Sequence, residues 1–409
     1  MKKCLALLVC VCVFFAGSAF AAEPPIRIGA MYALTGANAA IGTNILRGID
    51  FAVKMINAQG GVNGRMLEVV RGDTEGDAAK ARSVAEKLVT QDHVDAILGC
   101  HQSTLTNIAA QVCDANEIPM VTAISTVDNL SENGYEYFFR MCPMNSVYVR
   151  GMFDYLRDQA KATGHEVKHI AIFADNSNIG QEIIRCAEIF APDYGMQIVA
   201  KIEYQGGQPD MSSEVLALKN ANADAVIAES YINDATLLMR TLQEQNYQPP
   251  ILVAKANGYT DPTFLQNNQG ISNGVASVVE WNPDLTKGQD VNKAFKEEYG
   301  IDMNGHSAES FTATWILKTA FEQAGSSEGS KVKDALLKMD IVEKFPNGPE
   351  IILPYNRIKF ENHEFAGKQH YNNNVYASIA ISQVQDGVYK TVWPLEYAGA
   401  KIVYPAQYK

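Results

Sequence analysis

The chain has no uninterrupted apolar stretch of about 18 residues beyond its opening segment, so nothing in the later sequence is fit to cross a bilayer as a helix. It has no basic run either: 34 Lys and Arg face 46 Asp and Glu, for a formal net charge of −12. Nucleic acid and anionic membrane surfaces require clustered basic side chains, so both are excluded as expected partners. Neither a dinucleotide fingerprint nor a phosphate-cradling glycine loop of the usual form occurs, and GGVNG at Gly60–Gly64 reads as a turn after a helix. No Cys/His cluster has metal-site spacing. His165 and His169 are four apart, but Val167–Phe173 reads as a strand that would split them, and His101 and His306 are isolated. Neither a cofactor nor a metal is expected.

What is present points elsewhere. The opening MKKCLALLVCVCVFFAGSAFAA has a basic start, about a dozen apolar residues, and small residues Ala19 and Ala21 where an export peptidase reads. It predicts a signal peptide over 1–21, cleavage after Ala21 and a periplasmic mature chain. Losing Lys2 and Lys3 takes the charge from −12 to −14. Cys100, Cys113, Cys142 and Cys186 remain, compatible in an oxidising compartment with one or two disulfides or with isolated buried thiols. Cys100 and Cys113 are about three helical turns apart, too far for a bridge along a straight helix.

At 409 residues and 47% hydrophobic content the chain exceeds one core and predicts two packed domains. From Ile26 to about Met141, strand patterns (IRIGAMY, MLEVVRG, VDAILG, IPMVTA) alternate with helical ones near Thr43–Ala58, near Ala78–Thr90 and from Ser103. Such alternation specifies a parallel sheet with helices on both faces. It restarts after a helix near Val147–Ala162, with HIAIFAD, MQIVAKIEY, ADAVIAES and PPILVAK as strands. GVASVVEW reads as a strand leading back towards the first lobe. RIKFENHEF and NNVYASIAISQVQDGVYKTVWP read as strands joined by polar turns, with Asp386-Gly387 a hairpin signal. The fold class is α/β, with two doubly wound parallel-sheet lobes.

The most informative stretch is Val94–Thr126. VDAILG runs into Gln102, Ser103 and Thr104 opening a helix, and IPMVTA ends in Ile124, Ser125 and Thr126. Helix N-termini expose unpaired N–H groups with partial positive charge, so hydroxyls beside them can hold a carboxylate without lysine or arginine. In an open α/β sheet ligands sit beyond the strand ends. Alternatively, Ser103 or Ser125 merely caps its helix. Gly325-Ser326-Ser327-Glu328-Gly329 fits the letters of a hydrolase nucleophile elbow, but it joins two helices where the elbow needs a strand before the serine, so it reads as a loop. Glu297-Glu298 belongs to a solvated helical face.

The opening signal, the segment IRIGAMYALTGANAAIGTNILRGIDFAVKMINAQGGVNGR, the pair STLT and AIST, and the two-lobe order resemble periplasmic solute-binding proteins of branched-chain amino acid transporters. The resemblance implies a type I periplasmic-binding-protein fold with three crossovers. The corresponding division is 22–143 plus 281–350 for the first lobe and 144–280 plus 351–409 for the second. It implies a monomer, no enzymatic activity, and delivery of a small amino acid or other carboxylate to an ABC permease. The ligand carboxylate would be held by Ser103 and Thr126 through side chains and by Ile124 through its backbone. Tyr231 matches an aromatic presented by the second lobe, and His306 a pocket-lining position. Ile41 and Ile179 stand where these proteins often have aromatics, and Ala256 or Asn257 where they have an acid for the ammonium; Glu229 is the candidate substitute. Without any such acid the ammonium would be left unpaired at high cost, which favours a non-amino organic or aromatic acid or amide. A ligand sensor, or an esterase using Ser327, are the readings from other classes.

Overall fold

The computed structural model describes residues 23–36, 38–255, 257–260 and 262–405; the expected export signal and Ala256 lie outside them. In chain order, β1 (Ile26–Tyr32), α1 (Ala39–Ala58), β2 (Leu67–Asp73), α2 (Ala78–Thr90), β3 (Ala96–Gly99), α3 (Ser103–Ala115), β4 (Met120–Thr122) and β5 (Phe138–Arg140) form the first unit. The second follows as α4 (Asn145–Thr163), β6 (His169–Asp175), α5 (Asn178–Phe190), β7 (Gln197–Tyr204), α6 (Ser212–Ala221), β8 (Ala225–Glu229), α7 (Ile232–Glu244), β9 (Leu252–Lys255), α8 (Pro262–Asn267) and β10 (Ala276–Val279). The chain then gives α9 (Gln289–Tyr299), α10 (Gly305–Ala324), α11 (Gly329–Lys338) and five strands: β11 (Asp340–Val342), β12 (Arg357–Phe365), β13 (Lys368–Asn374), β14 (Ala380–Gln385) and β15 (Val388–Trp393).

Two mixed sheets, parallel at their centres, result, ordered β11-β12-β13-β5-β4-β3-β1-β2 and β15-β14-β10-β9-β8-β6-β7. Central strands such as β6, HIAIFAD, are buried along all but their first residue, as parallel strands covered on both faces must be. The strand order reverses between β1 and β3 in one sheet and between β6 and β8 in the other. Those two points face the crevice where an open sheet receives ligands. In the first lobe α10 is buried almost throughout, its Phe311 and Trp315 packing with Phe51 and Phe345. A side chain at Gly48 would collide with the Ser307 carbonyl, so α1 and α10 meet backbone to backbone there, which sets the α10 N-terminus at the crevice.

One expectation is revised. Residues 357–374 do not join the second lobe: β12 and β13 pair antiparallel, and β13 lies against β5 at Asn373 and Arg140 in the first sheet. Only β14 and β15 continue into the second sheet, beside β10. β10 pairs with β9 there, and after it the chain leads back to the first lobe, where Trp281 and Leu285 join the core. The four cysteines are free and buried, the isolated-thiol alternative. At the hairpin tip Asp386 and Gly387 both adopt positive φ, 50° and 76°, as a tight turn of this kind requires. No helix among the described residues is long and apolar enough to cross a membrane.

Candidate functional site

The β3–α3 turn is pinned from within. Thr106 Oγ1 accepts from the Cys100 amide at 3.1 Å and donates to the Gln102 carbonyl at 3.1 Å. Ser125 Oγ bonds Thr106 Oγ1 and donates to the Cys100 and His101 carbonyls at 2.9 and 3.2 Å, joining the two strand ends. Ser125 is thus spent inside the fold, while Ser103 and Thr126 remain half-exposed; Ser103 lines a cavity, and Thr126 lies one residue before its Val127 wall without lining it. No side chain caps the N-terminus of α3, so the amides of its first turn stay available to a ligand. Beneath, fully buried Arg140 donates to the Thr126 and Asp128 carbonyls at 3.3 and 3.4 Å and fixes the loop that carries Thr126.

Two cavities open along the crevice. The larger, about 830 Å³, is lined by Ser103, Thr104 and Asn107 of α3, by Val127, Asn129, Leu130, Glu132 and Asn133, and by Ile179, Gln181, Glu182 and Arg185 of α5. The other, about 530 Å³, includes Ile41, Glu280, Trp281, Met303 and His306. A polar chain runs between them. Glu182 accepts from Asn145 Nδ2, and Asn145 Oδ1 accepts from Lys255 Nζ. That ammonium lies 4.8 Å from the Tyr148 ring centroid, and Tyr148 Oη donates to Glu280 at 2.6 Å. Burial lowers the Lys255 pKa, while Glu182, Glu229 and Glu280 oppose the shift.

On the first-lobe side the His101 and His306 rings meet edge to face at 5.3 Å, and His306 Nδ1 lies 3.4 Å from Glu309 Oε2. Burial pushes Glu309 up to about 8, with the Glu280 charge adding to the rise. Against burial's downward pull, Glu309 and then Glu280 raise His306. Burial and the charge of His306 lower His101 to about 4.

The structure brings Ser103 and Ile179 together in the larger cavity and puts His306 in the other; Ile124 is buried. The Gln102 side chain turns towards Gly76. Tyr231 is 45% exposed at the start of α7 but lines neither cavity. Glu229 is fully buried; its Oε2 accepts from the Asp175 amide at 3.3 Å, and its Oε1 has no partner. Burial and then the Asp175 charge push Glu229 up to about 8, which makes it a poor anion for an ammonium. Sequence reasoning missed Asn145, Tyr148, Glu182, Lys255 and Glu280. The available signal was a lysine closing the apolar strand PPILVAK and a glutamate closing GVASVVE, both at strand ends. Away from the crevice, His165 stacks on Tyr404 and His169 faces Asp224, while Ser327 accepts from Arg65 in the α10–α11 loop.

Two mixed α/β lobes with a cavity lined from both define the architecture of a solute-binding protein. The family model described as periplasmic binding protein matches residues 25–363, and the chain belongs to that family. It is 29% identical over 405 residues to the Leu/Ile/Val-binding protein homolog 7 of Brucella suis, covering 97% of this chain and 98% of that protein. Among solved structures, a putative branched-chain amino acid ABC transporter protein from Silicibacter pomeroyi superposes with TM-score 0.80 at 20% identity, over 93% of this chain and 99% of the other. A substrate-binding protein from Desulfitobacterium hafniense in complex with Leu gives 0.74 at 21%, over 90% and 100%. An R. palustris solute-binding protein in complex with benzoate gives 0.66 at 15%, over 93% and 97%.

Proposed function

We propose that this protein is the periplasmic receptor of an ABC importer and that it captures a free neutral amino acid, a branched-chain one being the first candidate. The observation that carries the reading is the opposition across the crevice. Ser103 and Thr104 at an uncapped helix N-terminus share a cavity with Ile179 and Glu182 of the second lobe, whose strand ends carry carboxylates. The α-carboxylate would take the α3 amides, the two hydroxyls and the Ile124 backbone. The ammonium would sit against Glu280, whose other partner, Tyr148, is neutral. A ligand touching both lobes binds the closed arrangement better and shifts the population towards it. Delivery to a membrane permease is the role of such receptors in importers, and the named relatives of this chain support it.

The test is a thermal-shift screen of unfolded and refolded protein against leucine-like amino acids, their deaminated acids, aromatic carboxylates and amides. A shift with amino acids but not with their deaminated analogues is expected. Stabilisation by the deaminated or aromatic acids alone would move the assignment to a non-amino carboxylate.

A further inference from the structure

Glu280 sits at the junction of the lobes. It follows β10 of the second sheet directly, and Trp281 after it is already in the first lobe's core. The carboxylate is held from both sides. Tyr148 Oη of α4 donates to Glu280 Oε1 at 2.6 Å. On the first-lobe side Glu280 lies against the start of α10, so closely that a side chain added at Gly305 would come within 2.9 Å of Oε2. Oε1 is thereby engaged by the second lobe, while Oε2 lies beside the N-terminal end of a 20-residue helix, whose partial positive charge favours a carboxylate.

Over the ring of Tyr148 is a buried cation. Lys255, at the end of β9, is 8% exposed; its Nζ lies 4.8 Å from the ring centroid and donates to Asn145 Oδ1, a neutral acceptor. A cation on the face of a phenol is attracted to the ring, and it polarises the O–H so that the hydroxyl donates a stronger bond to the carboxylate at its other end. Among the described residues, the titratable groups that face Glu280 are Tyr148, Cys142, Lys255 and, on α10, His306 and Glu309. Burial holds Tyr148 and Cys142 well above their ordinary values and pushes Glu309 up to about 8, so these three are neutral on the acid side of neutrality. Lys255 and His306 then remain as the cations that offset the lost solvation of Glu280, and Lys255 reaches it through the phenol.

We propose that Tyr148 and Lys255 form the positioning pair of the ligand site: the phenol aims the Glu280 carboxylate, and the ammonium over its ring keeps that carboxylate ionised for the ligand's own ammonium. The inference rests on the reading of Glu280 as the ammonium's partner. An ionised, fixed carboxylate loses nothing to reorganisation when the ligand arrives, whereas a protonated one leaves the ammonium without a counter-charge. Selectivity for amino acids over deaminated acids is then set in part by two side chains that act through a third.

The test is the pH profile of leucine affinity, measured by calorimetric titration from about pH 4 to 8. Protonating the carboxylate that holds the ammonium costs affinity, so the wild-type profile falls on the acid side. Lys255→Met should move that fall to higher pH by on the order of one unit, because a nearby opposite charge keeps a carboxyl ionised, and Lys255→Arg should return it. Tyr148→Phe should move it in the same direction, and adding Lys255→Met to that variant should move it little further, since the lysine acts through the phenol. Lobe closure enters as one factor at every pH and leaves the position of the fall unchanged. Affinity lowered by a constant factor at every pH in both single variants would make the pair a packing element and overturn the proposal, as would profiles that stay at the wild-type position. Should Lys255→Met not fold, Tyr148→Phe carries the same readout. Glu280→Gln separates the premise: unchanged leucine affinity in that variant, or a wild type that binds no leucine, overturns the reading of Glu280 itself and the pair with it.

Discussion

The two lobes meet the crevice with different chemistry. Where the first sheet's strand order reverses, β3 and β4 end in hydroxyls and in the free amides of α3, all neutral. Where the second reverses, β6 ends in Asp175, β8 in Glu229 and β9 in Lys255, with Glu280 directly after β10. Neutral donors at a helix end bind an anion without first breaking an ion pair. Ionisable strand ends must be paired, buried neutral or used. Glu229 is buried with a raised pKa, and Lys255 is tied to Asn145. Among the described residues Glu280 accepts only from the Tyr148 hydroxyl, and it lines a cavity. The proposed ligand would accordingly lie with its carboxylate on the first lobe and its ammonium on the second.

Removing the neutral side should have the largest effect. Ser103→Ala with Thr126→Ala is expected to weaken binding at least about a hundredfold while leaving the melting temperature of the ligand-free protein nearly unchanged, because each lost charge-assisted bond is worth about 1.5–3 kcal/mol and both residues lie outside the core. Calorimetric titration checks it, and retained affinity would refute the carboxylate placement.

Removing the charged side should discriminate rather than abolish. Glu280→Gln keeps an acceptor for Tyr148 but loses the charge. Affinity for a neutral amino acid should fall about ten- to a hundredfold, while any residual binding of its deaminated analogue should hold or improve. An equal loss for both ligands would place the ammonium elsewhere.

The buried ionisable groups predict a stability optimum on the acidic side of neutrality. Glu229 titrates at about 8 when folded and near 4.5 ordinarily, so the native state keeps a proton that the unfolded chain has lost, and stability falls as pH rises from about 4.5 to about 8. His101 works in the other sense. Lowered from 6.5 to about 4, it costs stability as pH drops through that window, because the unfolded chain then binds the extra proton. Melting temperatures should be highest where the two windows overlap, from about pH 4.5 to 6.5, because the opposing slopes offset each other there, and should fall on either side; Glu229→Gln should flatten the alkaline fall. An alkaline fall unchanged by that substitution would assign it to other groups such as Glu309.

The first-lobe strand end and the start of α3 were legible because they depend on local signals. Strand, turn and helix start follow within ten residues, and serine and threonine at a helix start mark either a cap or a ligand contact, two uses the sequence does not separate. The side-chain alternation that sends Ser125 inwards and leaves Thr126 half-exposed was not legible, since both hydroxyls read alike without the Thr106 contact. In the second lobe the decisive groups come from four separate strand ends and α5, and only tertiary packing decides which of them is neutralised. The β12–β13 hairpin was misassigned for a related reason. An antiparallel pair has no crossover helix to dictate its sheet, and its place is set by contacts such as Asn372 Nδ2 with the Phe138 carbonyl at 3.2 Å.

The smallest expected effect sharpens the same contrast within the first lobe, between two helix N-termini at the crevice. That of α10 is closed by a capping box, with Asn304 Oδ1 accepting from the Ser307 amide at 3.0 Å and Ser307 Oγ from the Asn304 amide at 2.8 Å. That of α3 is open at Gln102. If the open end is the ligand's, closing it should cost affinity and add stability: Gln102→Asp supplies an internal carboxylate and should raise the stability of the ligand-free protein by about 1 kcal/mol, while weakening binding several-fold through competition for the same amides. Asn304→Ala should do the converse, losing about 1 kcal/mol of stability with little change in affinity. Denaturant melts and titrations on the two variants decide it. Should Gln102→Asp stabilise the protein without weakening binding, the α3 amides are not where the carboxylate sits.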